Sequence, residues 1–153
     1  TDTRKTTPNF RYAEKWAVQI GGGINHRMGL FDAIMIKDNH VDFAGGMKQT
    51  LQKTSDYMNK IEKNLAVIVE CRNQKEVETA LRFSFVDRIL LDNFLPKELN
   101  KIVASINNIK STEASGNINK NNIVEYAETG VDFISIGALT YGATCLDLSL
   151  KAI

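Results

Sequence analysis

The chain has 153 residues, of which 43% are hydrophobic and 24% charged, and its formal net charge is +1. This composition is typical of one globular domain, and the small net charge gives no overall field to attract nucleic acid or an anionic membrane. The sequence contains no signal-peptide pattern and no apolar run near the roughly 20 residues of a membrane span.

The first predicted elements surround a glycine-rich stretch. Residues Arg11–Ile20 predict a short helix, whose apolar face for packing consists of Tyr12, Trp16 and Ile20. Three glycines, Gly21–Gly23, then lead into an apolar run at Ala33–Ile36, which is typical of a buried strand. That run ends in the polar residues Lys37–His40, which we expect to turn at the rim of a sheet.

Helix and strand patterns alternate through the rest of the chain. The predicted strands are residues 65–69, 88–91, a short extended segment ending at 116, and 131–136. A predicted helix spans residues 121–129. The other predicted helices are marked by one apolar face each: Met47, Leu51, Met58 and Ile61; Val77, Ala80 and Leu81; Leu99, Ile102, Val103 and Ile106 after Pro96; and finally Leu146, Leu150 and Ile153. This order predicts a parallel sheet or barrel.

The predicted strands end at regular intervals. The strand-end residues are Lys37, Glu70, Asp92, Ser115 and Gly137, which are 33, 22, 23 and 22 positions apart. Such spacing is typical of compact βα units, each of which delivers its polar residues to the same face. We therefore favour an α/β fold, a (β/α) barrel with fewer than eight strands, over an open doubly wound sheet. It would have six strand ends if Arg4 and Lys5 follow a truncated first strand.

The strand ends and neighbouring loops carry three kinds of chemistry. The cations are Arg4, Lys5, His26, Arg27 and Lys37, which suit carboxylates and phosphates. The carboxylates Glu70 and Asp92 suit Mg²⁺ or sugar hydroxyls. The small residues Ser115, Gly116 and Gly137 precede helices, as in phosphate sites. Together they favour a phosphorylated, polyanionic substrate with a divalent cation.

Other candidate residues have simpler interpretations. Taken alone, His26 is more often an ordinary loop histidine than a catalyst, and His40 receives no role. Cys71 is expected to be a small buried residue and Arg72 a surface charge. Because Cys71 and Cys145 form no C-x-x-C pair and no disulfide framework, we expect a reducing cytoplasm.

Six motifs in order resemble one enzyme family. They are DTRKTTP at 2–8, GGGINHR at 21–27, IKDNH at 36–40, LLDN at 90–93, EASG at 113–116 and ETGVDFISIGALT at 128–140. The sequence resembles quinolinate phosphoribosyltransferase (nicotinate-nucleotide diphosphorylase, carboxylating) over essentially its whole length. The resemblance implies an open α/β barrel within a homodimeric enzyme of NAD synthesis. That enzyme joins quinolinate to phosphoribosyl pyrophosphate (PRPP) with Mg²⁺, giving nicotinate mononucleotide, pyrophosphate and CO₂.

The resemblance also assigns a role to each matched residue. Arg4, His26 and Arg27 match positions that hold the quinolinate carboxylates. Lys5 and Lys37 match lysines facing PRPP and the reacting centre. Glu70 and Asp92 match carboxylates that engage the ribose hydroxyls and the metal, and with Lys37 they are the catalytic candidates. The positions that bind phosphate are matched by Ser115, Gly116 and Gly137.

The sequence departs from the family at several positions. Asn9 and Asn117 stand where glycine is frequent, Ile68 where an acidic residue is common, and Tyr141 where histidine is frequent. Because the chain starts at Thr1 without methionine, we interpret residues 1–153 as the C-terminal barrel domain, without the family's N-terminal α/β domain. We expect this piece alone to be marginally stable, prone to aggregate and inactive. A paralogue associated with molybdate transport and a non-catalytic phosphate-binding barrel are the alternatives.

Overall fold

A computed structural model describes residues 1–152, which form five strands and seven helices. The strands are β1 Ala33–Ile36, β2 Ala66–Cys71, β3 Arg88–Asp92, β4 Ser111–Ser115 and β5 Phe133–Ile134. The helices are α1 Arg11–Ile20, α2 Asp38–Ala44, α3 Met47–Ile61, α4 Gln74–Leu81, α5 Pro96–Ile106, α6 Ile123–Ala127 and α7 Ala138–Tyr141. The α/β fold with parallel strands predicted from the strand-end spacing is confirmed.

The five strands form one parallel sheet in chain order, β1-β2-β3-β4-β5. A doubly wound sheet reverses its strand order at a switch point, whereas this sheet advances by one strand at each crossover, as a barrel wall does. The N-terminal segment runs beside β5, since the Ile136 amide donates to the Thr1 carbonyl at 3.0 Å. The Asp2 amide donates to Ile24 at 3.1 Å, so the same segment also joins the loop before β1.

Side-chain alternation along the strands separates core from cavity. In β2, Val67, Val69 and Cys71 belong to the large apolar cluster that includes helical residues such as Leu51 and Leu99. Ile68 belongs to a smaller cluster with Ala33 and Leu90 on the other face. Because successive strand residues point to opposite faces, Glu70 shares the face of Ile68, and Asp92 that of Leu90. The period of two therefore places both carboxylates inside the barrel wall.

The orientation of α1 differs from the prediction. Tyr12, Trp16 and Ile20 are 75%, 58% and 72% exposed, whereas Lys15 and Val18 are buried. The expectation that the apolar face packs inward is wrong. Instead, α1 is rotated so that Lys15 faces inward, where it forms an ion pair with Asp2.

The C-terminal helix prediction is also wrong for the residues that the structure describes. The last helix is α7, and residues 143–152 form no regular element, with Leu146 and Leu150 both largely exposed. A short helix depends on packing for its stability, and these leucines are not packed against any other part of residues 1–152. Ile153 lies outside the described residues.

Two smaller differences affect the edges of the sheet. The polar run after β1 begins α2 directly, with the His40 side chain accepting the Lys37 amide at 2.9 Å. The last strand, β5, is two residues long, whereas the sequence predicted a strand of six residues at 131–136. Within residues 1–152, no helix combines the length and apolar character needed to cross a membrane.

Candidate active site

A cavity of about 720 Å³ opens at the carboxyl ends of the strands. All ten predicted site residues line it: Arg4, Lys5, His26, Arg27, Lys37, Glu70, Asp92, Ser115, Gly116 and Gly137. The structure thus brings together residues from the N-terminal segment, the loop before β1 and all five strand ends. Their individual roles in binding and catalysis stay predictions.

Two carboxylates and a lysine occupy the ends of the first three strands. Lys37 Nζ lies 3.9 Å from Glu70 Oε2, and the Asp38 amide donates to the other oxygen of Glu70 at 3.5 Å. Burial raises the pKa of Glu70; the positive charge of Lys37 opposes this rise, and the negative charge of Asp92 adds to it. A cation or a pair of sugar hydroxyls placed between the two carboxylates would relieve their repulsion.

Asp92 is oriented by its neighbours. The Ser115 hydroxyl donates to Asp92 Oδ1 at 3.0 Å, and Asn93 Nδ2 donates to Oδ2 at 2.5 Å. Ser115 is paired with Asp92 in the register of β3 and β4, so strand pairing itself creates this contact. A hydroxyl predicted to contact phosphate is therefore also a support for the carboxylate.

The cationic loops contain two buried donors that make no hydrogen bond within the described residues, Arg4 Nε and His26 Nε2. His26 Nε2 still faces a carboxylate oxygen, Glu113 Oε1, at 3.5 Å, so Arg4 Nε is the donor that lacks a partner among residues 1–152. The Arg27 amide donates to His26 Nδ1 at 2.8 Å, so a neutral His26 carries its proton on Nε2. Burial lowers the pKa of Arg27, and the adjacent positive charge of Arg4 lowers it further. Since buried donors are normally paired, Arg4 Nε points to an anionic ligand.

The turn after β4 requires glycine. Gly116 has φ +97, and a Cβ there would lie 2.8 Å from the backbone nitrogen of Asn93. The adjacent Asn117 has φ 53 and donates through Nδ2 to Asn93 Oδ1 at 3.1 Å. The close approach of two strand-end turns therefore fixes the backbone beside Ser115.

Two departures from the family pattern have a backbone explanation. Asn9 and Asn117, which replace frequent glycines, have φ values of 62 and 53. Asparagine is among the residues that tolerate this left-handed region best after glycine. Both asparagines thus lie in a backbone region that glycine also adopts readily.

Glu113 is a cavity residue to which sequence reasoning gave no role. It is fully buried on β4, where it accepts hydrogen bonds from Ser135 Oγ and, at 2.9 Å, from Arg88. His26 Nε2 lies 3.5 Å from Glu113 Oε1. Burial alone would raise the pKa of Glu113, but His26, Ser135 and Arg88 outweigh burial and lower it to about 2. An acidic residue between Thr112 and Ala114 of a predicted strand was the available signal, because buried charges need partners.

Cys71 and Arg72, which received simpler interpretations, behave as expected. Cys71 is buried, and burial raises the pKa of its thiol. Arg72 lies at the surface in ion pairs with Asp42 and Glu76, at 2.9 and 2.7 Å. The assigned role of a small buried residue and that of a surface charge are thus confirmed.

Residues 1–151 match the family model described as the C-terminal domain of quinolinate phosphoribosyl transferase. The chain belongs to this family. It is 43% identical over 164 residues to the chloroplastic nicotinate-nucleotide pyrophosphorylase [carboxylating] of Arabidopsis thaliana, a match that covers 98% of this chain and 47% of the relative. A probable nicotinate-nucleotide pyrophosphorylase [carboxylating] of Synechocystis is 41% identical over 158 residues, covering 99% and 51%.

Solved structures of the family share the fold. NadC from Streptococcus pyogenes superposes with a TM-score of 0.89 at 38% identity, covering 99% of this chain and 52% of that one. The nicotinate-nucleotide pyrophosphorylase from Francisella tularensis gives 0.83 at 46% identity, covering 91% and 48%. The chain therefore spans about half the length of the family members it matches.

Proposed function

We propose that the protein containing this chain transfers the phosphoribosyl group of PRPP to the ring nitrogen of quinolinate. The products are nicotinate mononucleotide, pyrophosphate and CO₂, a step of NAD synthesis. The observation that carries the proposal is Arg4 Nε, a buried donor that has no acceptor within the described residues, in the cavity that His26 and Arg27 also line. These cationic residues share that cavity with Glu70 and Asp92, the carboxylates suited to a sugar.

The cationic loops supply the acid-binding half of the site. Arg4, His26 and Arg27 hold the two adjacent carboxylates of quinolinate, because guanidinium groups and an imidazole Nε2–H donate hydrogen bonds to carboxylate oxygens. Lys5 and Lys37 face the PRPP end and the reacting centre. The names of the relatives support this substrate, since several are called quinolinate phosphoribosyltransferase.

The strand ends supply the sugar and phosphate half. As the pyridine nitrogen bonds to the anomeric carbon, the bond from that carbon to pyrophosphate breaks, and the ribose is cation-like in the transition state. Glu70 and Asp92 stabilise that charge. Ser115, Gly116 and Gly137 hold phosphate through hydroxyl and backbone donors. Lys5 and Lys37 offset charge on the departing pyrophosphate.

The donor set fits a magnesium ion bound mostly by substrate. Within residues 1–152, no group of three or more acidic, histidine or cysteine side chains is placed to hold a metal. Mg²⁺ typically binds one or two protein carboxylates together with substrate phosphates, and Glu70 and Asp92 would be those carboxylates. When bound, Mg²⁺ neutralises charge on the pyrophosphate leaving group.

Decarboxylation needs no organic cofactor. After the nitrogen–ribose bond forms, the carboxylate on the adjacent ring carbon departs as CO₂, and its bonding electron pair stays on that carbon. The positively charged pyridinium stabilises this pair until the carbon takes up a proton. Arg4 and Arg27 hold the ring while the carboxylate leaves.

Calorimetry on the product of the complete gene tests the acid-binding assignment. We expect phthalate, an unreactive mimic with two adjacent carboxylates, to bind the wild type and to bind Arg4→Met at least tenfold more weakly. Lys120→Met changes an exposed lysine that does not line the cavity, so it is the control and should bind as the wild type does. Failure of quinolinate and phthalate to bind, or equal affinity for nicotinate, would overturn the substrate assignment. Phthalate binding without turnover would indicate a non-catalytic barrel.

We further propose that the complete protein is a cytoplasmic homodimer. The two cysteines are free, which supports a reducing compartment. Because some plant relatives are named as mitochondrial or chloroplastic, fractionation of the source cells is the decisive test of location. Sedimentation of the product of the complete gene would test the oligomeric state.

A further inference from the structure

An ion pair with both side chains fully buried lies outside the set of predicted site residues. Lys15 Nζ of α1 is 2.6 Å from Asp2 Oδ1, and neither side chain is exposed to solvent. Burying two charges is costly, and replacing such a pair by apolar residues is often neutral or stabilising. Stability alone is therefore a weak reason for the pair.

The pair is the centre of a network that joins three chain segments. Asp2 Oδ1 also accepts the His26 amide at 2.7 Å, and Asp2 Oδ2 accepts Asn25 Nδ2 at 2.6 Å. Lys15 Nζ donates a second bond to the His26 carbonyl at 3.0 Å, and Asn25 Nδ2 donates to the Lys15 carbonyl at 2.8 Å. Both backbone polar groups of His26 thus bond to the ion pair.

The network connects the two cationic loops of the site. Asp2 lies two residues before Arg4, and His26 directly precedes Arg27. Neither loop belongs to a helix or strand, so hydrogen bonding within a regular element does not fix their spacing. The inward rotation of Lys15 leaves Tyr12 and Trp16 exposed, so α1 forgoes apolar burial to make these contacts.

We propose that Asp2 and Lys15 are positioning residues that set the spacing between Arg4 and the His26–Arg27 pair. They thereby make the site prefer an acid with two adjacent carboxylates over one with a single carboxylate. This inference rests on the proposed function. Two carboxylates on neighbouring ring carbons must meet donors from both loops at once, whereas one carboxylate can be held by either loop. A displacement of about 1 Å between binding groups is enough to reduce rates greatly.

The double variant Asp2→Asn/Lys15→Met in the product of the complete gene is the principal test. It removes both charges together and leaves no buried charge unpaired, while roughly keeping side-chain volume. We expect the KM for quinolinate to rise on the order of tenfold and the preference for phthalate over benzoate in calorimetry to fall similarly. The KM for PRPP should rise less, by at most about threefold, because Lys5 lies on an affected loop but the strand-end residues are untouched.

Arg72→Met is the matched control, because it breaks ion pairs that lie at the surface. It should leave both KM values and the phthalate preference unchanged. If the double variant does not fold, Asn25→Ala decides, since it keeps the ion pair and removes two of the bonds that hold the loop. It should raise the quinolinate KM about threefold with little effect on PRPP.

The outcomes separate this inference from the proposed function. A wild type that forms no nicotinate mononucleotide overturns both. A wild type that turns over, with variants that lose only melting temperature or amount of active enzyme, overturns the positioning role alone. Equal rises in both KM values, or an unchanged preference for phthalate over benzoate, also overturn it.

Discussion

At the scale of single residues, the site depends on carboxylates whose environments differ. Glu113 is fully buried yet ionised, because Arg88 and Ser135 donate to it. Glu70 has weaker support, with Lys37 at 3.9 Å, and burial raises its pKa. The first carboxylate therefore contributes to stability, and the second is placed to interact with ligand.

Glu113 gives a prediction about stability and pH. Its pKa is about 2 in the folded protein against an ordinary 4.5, so its contribution is fully present above pH 4.5. That contribution is lost as pH falls from 4.5 towards 2 and corresponds to on the order of 3 kcal/mol. We expect Glu113→Gln to lower the free energy of unfolding at pH 7 and to make it less dependent on pH between 5 and 3. Denaturant titrations at several pH values measure this.

The exposed Glu125→Gln is the control for that experiment, and its stability should follow the wild type at every pH. A Glu113→Gln variant that loses stability with acid as steeply as the wild type would show that Glu113 is not the titrating group.

Glu70 and Asp92 give a prediction about turnover. Glu70→Gln and Asp92→Asn each remove a charge and little volume, so both variants should fold but lose about a hundredfold or more in kcat. Because the pKa of Glu70 is raised, wild-type activity should fall with acid at a pH above 4.5, and that limb should be absent from the residual activity of Glu70→Gln. Asp56→Asn, on the exposed face of α3, is the control. Turnover at the wild-type rate in both variants would refute the sugar and metal role.

At the scale of secondary-structure elements, the strand ends were predictable and the orientation of α1 was not. Each strand end follows from a local pattern, an apolar run that stops at a polar or small residue, repeated about every 22 positions. The rotation of α1 depends on Lys15 meeting Asp2 thirteen residues earlier, which no periodicity within the helix encodes. Likewise, Leu146 and Leu150 have helical spacing, but a helix also needs a surface to cover.

The turn after β4 gives a prediction that separates backbone strain from close contact. Gly116→Ala should raise the KM for PRPP and destabilise the protein, because alanine at φ +97 would collide with Asn93. Gly45 is a matched control: it has φ +90, but open space surrounds its Cβ position. Gly45→Ala should cost only the conformational strain, about 1 kcal/mol, and leave the KM for PRPP unchanged. Equal effects of both substitutions on KM would contradict the role of the Gly116 turn.

At the scale of the whole molecule, every predicted site residue lies in a single cavity at the carboxyl ends of the barrel strands. The sequence motifs were sufficient to predict this grouping, because parallel βα units deliver their strand ends to one face. The support beneath the site, Glu113 with Arg88 and Asp2 with Lys15, was not assigned because it depends on contacts between distant segments. The marginal stability and inactivity expected of residues 1–153 alone stay predictions, which a thermal melt of the isolated chain would test.

The central claim is the coupled transfer and decarboxylation, and isotope release measures it directly. The product of the complete gene is supplied with PRPP, Mg²⁺ and quinolinate labelled in the carboxylate adjacent to the ring nitrogen. We predict one labelled CO₂ and one pyrophosphate for each nicotinate mononucleotide formed, with no product from nicotinate under the same conditions. Absence of labelled CO₂, or nicotinate mononucleotide formed equally well from nicotinate, would contradict the account.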